Sequence, residues 1–125
     1  MKPGEVPGQV IGSVTAQEVN VTTDWLNKLT KREKLPQKLV LIHQFTDSMI
    51  ANKQQLKPLR GVPLVLNVDG FGGQEVKIAK YNDFTTPPVR HVHSGFKLFY
   101  KEDTDTMTPA QVLKLRPRPD VVIYE

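Results

Sequence analysis

Apolar residues gather in short runs along the chain: Leu39-Val40-Leu41-Ile42, then Leu64-Val65-Leu66 with Val68, then Val121-Val122-Ile123-Tyr124. Runs of this length with little alternation predict strands covered on both faces, as in a parallel sheet packed by helices. A further strand is expected over Gly95-Phe96-Lys97-Leu98-Phe99-Tyr100, which is more amphipathic. Helical spacing lies between the runs. Thr15 and Glu18 form a capping box ahead of Val19, Leu26 and Leu29, which predicts a helix to about Thr30 with Trp25 as a core anchor. Thr46 or Asp47 caps a short helix through Met49, Ile50 and Leu56, stopping before Pro58 and Gly61. A third helix is expected over residues 74–81, carrying Val76, Ile78 and Ala79. Thr108-Pro109-Ala110-Gln111 opens a fourth, with Val112, Leu113 and Leu115 on its buried side and Arg116-Pro117-Arg118-Pro119 to break it.

Residues 1–12, with Pro3, Gly4, Pro7, Gly8 and Gly12, have turn composition and predict an extended arm; residues 13–125 are expected to form a single α/β domain. Residues 82–94, with Pro87-Pro88, form a loop. The order is helix, strand, four times over, with crossovers long enough for right-handed parallel units. About four parallel strands of this kind make either half of a (β/α)8 TIM-type barrel or a small open three-layer α/β sheet, and the pattern fits both.

Composition agrees with one domain: 125 residues, 38% of them hydrophobic, leave too little apolar surface for two cores. The net charge of +4 comes from Lys and Arg scattered singly or in pairs, a solvated surface and not a nucleic-acid stripe. The absence of cysteine excludes thiol nucleophiles and zinc-thiolate sites. No apolar run approaches the roughly 18 to 20 residues of a membrane span, and Met1-Lys2-Pro3-Gly4 lacks the apolar core of a signal peptide. The compartment stays open, with an extracytoplasmic location expected if the chain belongs to a longer exported protein.

The candidate chemistry centres on Gly61 to Gly73, where an apolar strand runs directly into Asp69 and the glycine turn Gly70-Phe71-Gly72-Gly73. The carboxyl ends of parallel strands form one ligand-binding rim. Each expected strand ends in polar residues: His43 and Gln44, then Asp69, then Glu102 and Asp103, then Glu125. Hydrolysis of a glycosidic bond uses two carboxylates from different strand ends, which makes Asp69, Glu125 and Asp103 the catalytic candidates. His43, Gln44 and Asn67 are candidates to hold hydroxyl groups, and Phe71, Tyr100 and Tyr124 to offer ring surfaces. The competing structural reading has Asp69 capping the following turn, Glu102 and Asp103 in a solvated loop, and Glu125 as a terminus. The glycine turn before a helix also suits a phosphate, though it is neither a Walker motif nor a dinucleotide fingerprint. His91-Val92-His93 places two imidazoles on one side of an extended segment, without a third metal ligand in sequence, so no metal or cofactor is expected.

Leu39-Val40-Leu41-Ile42-His43-Gln44-Phe45-Thr46, Val65-Leu66-Asn67-Val68-Asp69-Gly70-Phe71-Gly72, Gly95-Phe96-Lys97-Leu98-Phe99-Tyr100 with Met107-Thr108-Pro109, and Arg118-Pro119-Asp120-Val121-Val122-Ile123-Tyr124 together resemble the C-terminal half of uncharacterised bacterial secreted or lipoprotein-type proteins with a glycoside-hydrolase-like (β/α)8 barrel. The resemblance covers about residues 9–125. It implies a half-barrel acting on or binding carbohydrate or cell-envelope material, catalytic only when completed by a partner or by a missing N-terminal half. A non-catalytic saccharide-binding or assembly domain of the same fold is the alternative. Unpaired edges of a half-barrel further imply homo-oligomerisation or pairing with that missing half.

Overall fold

The computed structural model describes residues 12–36, 39–58 and 62–125. All of the expected arm except Gly12 lies outside these residues, as does Gly61. The chain runs β1 (Val14–Thr15), α1 (Ala16–Arg32), β2 (Val40–Gln44), β3 (Ile50–Ala51), β4 (Leu64–Val68), α2 (Gln74–Thr85), β5 (His93–Leu98), α3 (Pro109–Val112) and β6 (Val121–Tyr124). Strands β2, β4, β5 and β6 form one parallel sheet in that spatial order, and β1 pairs with β3 in a small second parallel sheet. The result is an open α/β sheet: among the described residues β2 and β6 each have one unpaired edge.

The capping box of α1 forms as its residue types require. Thr15 Oγ1 accepts the Glu18 N–H at 3.1 Å and Glu18 Oε1 accepts the Thr15 N–H at 2.9 Å. Ala16, Val19 and Thr23 are the buried residues of the helix. Trp25 is 60% exposed and is not the expected core anchor. At about 100° per residue it lies some 200° around the helix from Thr23, on the side away from the sheet.

Between β2 and β4 the expected helix over Met49 and Ile50 is replaced by two 3-10 turns, Asp47–Met49 and Lys53–Gln55, with β3 between them. Ile50 and Leu56 still reach the core, where they join Ala16, Val19, Leu64 and Leu66. Pairing of β3 with β1 supplies the backbone partners that a longer helix would have supplied to itself. Helix α2 runs four residues further than expected, to Thr85, and β5 begins at His93, so the loop shortens to 86–92. Helix α3 has one turn, capped reciprocally by Thr108 and Gln111.

Alternation along the strands sorts the sheet into two faces. The register aligns Gln44 with Val68, Phe96 and Val122, and it aligns His43 with Asn67, Gly95 and Val121. The first row belongs to the face packed by α2 and α3: Val68, Phe96 and Leu98 join Tyr81, Met107, Val112 and Leu115 in the larger core. Every residue of β4 is buried, as a central parallel strand should be. The second row begins the opposite face, which carries the polar residues described next.

Candidate functional site

Polar side chains of the second face gather where β4, β5 and β6 end. Asp69 follows β4 directly, and its N–H is donated to Gln44 O at 2.9 Å, which continues the sheet pairing by one residue. Its side chain is 6% exposed; Oδ1 accepts the Gly70 N–H at 2.8 Å, and Oδ2 lies 3.4 Å from Nδ1 of His43. The His43 imidazole is 45% exposed on the neighbouring strand, and its Nδ1 is also 3.0 Å from Asn67 Nδ2. A buried carboxylate and a buried amide thus orient a ring whose Nε2 has no partner among the described residues. With the Asn67 amide donating to Nδ1, the neutral ring carries its hydrogen on Nε2, where it can serve as a donor to a bound molecule.

One strand over, Lys97 follows Phe96 at the level of Asp69, and its Nζ lies 2.5 Å from Glu125 Oε2. This hydrogen bond to Glu125, with the Asp69 charge adding to it, raises the Lys97 ammonium above its ordinary range. Glu125 is anchored at the backbone, donating to Leu98 O at 2.9 Å and accepting from the Tyr100 N–H at 2.8 Å. His43, Asp69, Lys97 and Glu125 therefore share one face by strand alternation. Lys97 carried no signal in sequence beyond its alternate position in an otherwise apolar strand.

Asp103 does not reach this row. Its side chain is 1% exposed, 3.2 Å from Lys77 Nζ, and it accepts the N–H groups of Gly72 at 3.0 Å and Phe99 at 3.0 Å. It is a structural brace between the glycine turn and the end of β5. Gln44 is also placed elsewhere, on the α2 face, because it follows His43 in the strand. Tyr124 donates its hydroxyl to Met107 O at 2.7 Å and stacks on Tyr100 with ring centroids 5.4 Å apart. The two tyrosines serve one another, and burial pushes the Tyr124 phenol up in pKa. Phe71 is exposed and meets Phe99 edge-on at 5.9 Å, beside the turn. Glu102 is exposed in the loop after β5.

Two N–H groups of the glycine turn and the first of α2 are donated to carboxylates of the chain itself. Gly70 donates to Asp69, Gly72 to Asp103, and Gln74 to Asp105 Oδ1 at 2.9 Å. These bonds occupy part of the donor set that a phosphate at this turn would use. Gly70 has φ of 133°, a backbone conformation that favours glycine, while the Lys80 Nζ that a Cβ would meet is the movable end of a long side chain. His91 also departs from expectation: its φ of 62° puts it in a left-handed turn, so it does not share an extended side with His93. His93 Nδ1 lies 3.4 Å from Asp120, and among the described residues no three His, Asp or Glu side chains gather as a metal cluster.

Two further lysines flank Asp69. Lys77 is buried and donates to Gly70 O at 2.7 Å and Lys97 O at 2.5 Å; burial lowers its pKa, opposed by Asp103. Lys80 Nζ sits over the rings of Phe45 and Phe84 at 5.7 and 5.4 Å, and burial lowers its pKa from 10.5, opposed by Asp69. Because folding disfavours the Lys80 ammonium, the folded chain binds fewer protons than the unfolded chain between the lowered value and 10.5, so this residue's contribution to stability rises with pH across that window. Urea unfolding of the protein and of Lys80→Met at pH 7 and pH 10 checks the sign. The parent is expected to gain on the variant at the higher pH, and a difference that shrinks would refute the assignment.

Searches of protein-family models, curated proteins and solved structures each returned no match to this chain.

Proposed function

We propose that this rim binds a polyhydroxylated ligand of the carbohydrate class and hydrolyses its glycosidic bond, the open sheet serving as half of a (β/α)8-type barrel. The observation that supports it is the buried Asp69, 3.4 Å from the half-exposed His43, on the same sheet face as Glu125. Glycoside hydrolysis needs a proton for the leaving oxygen and a carboxylate on the far side of the sugar. In this reading His43, oriented by Asp69 and Asn67, carries the proton on Nε2. Glu125, held by Lys97, activates water.

A panel of aryl glycosides and oligosaccharides, with the product anomer read by NMR, tests the reaction. Asp69→Asn is expected to cut hydrolysis about 100-fold or more with ligand binding retained. The tight Lys97 contact on Glu125 favours one second reading, a saccharide-binding rim without turnover. Saccharide binding by the unmodified protein with no hydrolysis would establish that reading, and neither binding nor hydrolysis would overturn both. The barrel part is checked separately by light scattering, where the unpaired β2 and β6 edges are expected to give self-association. A monomer at high concentration would count against it.

A further inference from the structure

The opposite face of the sheet holds a cavity of about 250 Å³ between β2, β4 and β5 and the segment after α2. Leu66, Val68, Phe84, Val89 and Val92 make its wall apolar. Gln44 also lines it and is 1% exposed, yet neither Oε1 nor Nε2 of its carboxamide has a hydrogen-bond partner. Strand alternation puts the Gln44 side chain on the same face as Leu66, Val68 and Ser94, all of which border the cavity. A buried amide left without partners is costly, and it marks the place where a ligand would supply them.

Of the other polar groups at the cavity, Ser94, Asp120 and Thr85 are engaged within the fold, and the exposed Arg118 and half-exposed His93 border it as well. Ser94 Oγ lies 3.0 Å from the Tyr81 hydroxyl, and Asp120 Oδ2 accepts the Ser94 N–H at 3.0 Å. Among the buried groups this leaves one donor and one acceptor side by side, at Gln44, beside the apolar part of the wall. We infer that the cavity is a binding site for a compact neutral molecule bearing a lactam or cis-amide edge, which pairs with the Gln44 carboxamide while its ring packs against Phe84 and the aliphatic wall. The volume lies just below the roughly 300 to 1,000 Å³ of ordinary small-molecule sites, which limits the occupant to one or two rings. The site is independent of the rim. His43 and Gln44, adjacent in β2, serve opposite faces.

Amide NMR of the full chain titrated with 2-pyridone, N-methyl-2-pyridone and toluene provides the test. 2-Pyridone is expected to give saturable shifts at the Gln44 side-chain NH2 and at Val68, Val92 and Ser94. N-methyl-2-pyridone, which lacks the donor, and toluene, which lacks both groups, are expected to bind at least about tenfold more weakly, about 1.4 kcal/mol. Gln44→Leu, which keeps the volume, is expected to lose the preference for 2-pyridone. Shifts from none of the probes would mean a cavity satisfied by water and would overturn the inference. Equal binding of toluene, or an unchanged preference in Gln44→Leu, would do the same. Should the variant not fold, the Gln44 NH2 resonances of the parent still decide, because a 2-pyridone complex that leaves them unmoved is incompatible with the pairing.

Discussion

Asp103→Ala is expected to destabilise the protein by about 3 to 5 kcal/mol, a large share of the total for a domain of this size. The change strands the Lys77 ammonium, 5% exposed, without its countercharge. It also removes the acceptor from two backbone N–H groups, at Gly72 and Phe99. Lys77 cannot turn to solvent, since the same Nζ is held by the carbonyls of Gly70 and Lys97. Urea unfolding measures the loss as a lower midpoint at unchanged slope. The pair Lys77→Met with Asp103→Leu is expected to recover part of it, because no buried charge is left behind while the two N–H groups stay unpaired. A cost below about 1 kcal/mol for Asp103→Ala would place the pair in the class of solvated surface bridges and refute the brace.

The second large effect is expected at Gly95, where structure and chemistry are coupled. A Cβ at this position would lie 2.5 Å from Asn67 Oδ1, 3.0 Å from Val65 Cγ1 and 3.2 Å from Asn67 Cβ. The neighbours belong to the paired central strand, so they cannot withdraw cheaply. Gly95→Ala is therefore expected to cost about 1 to 3 kcal/mol. Asn67, fully buried, is also the group that contacts His43 Nδ1, so its displacement is expected to move the His43 ring resonances in the NMR spectrum. Trimming Asn67 in Asn67→Ala should relieve the crowding, so that the double variant loses less than the sum of the two. Additive losses, or His43 ring resonances identical to the parent's, would show that Gly95 does not set the position of Asn67.

The strands were readable because their signal is local. Leu64, Val65, Leu66 and Val68 form an apolar run with few other uses, and all of them are buried. Thr15 with Glu18 and Thr108 with Gln111 announced two helix starts for the same reason: the cap is satisfied within four residues. The segment over residues 47–56 was misread because its backbone partners are distant. Ile50 pairs with Val14, and nothing within the segment indicates that.

Asp69 and Glu125 could be proposed from their positions at strand ends, and they do share a face. Asp103 looked the same in sequence, and its burial against Lys77 follows from the path of the chain after β5, not from residue type. Lys77, Lys80 and Lys97 were invisible among 17 basic residues, since a buried lysine differs from a solvated one only by what surrounds it.

Residue order and periodicity alone pointed to an α/β chain with about four parallel strands and a carboxylate directly after the most apolar of them. Those properties depend on neighbours a few residues apart. Folding in three dimensions settled the rest: which face each strand-end residue occupies, that His43 and Asp69 meet while Gln44 turns to the other side, and that Gly70 and Gly72 donate to carboxylates of the chain itself. A shift of one residue in a strand reverses every side chain, and a contact between distant segments exists only once the sheet has brought them into register.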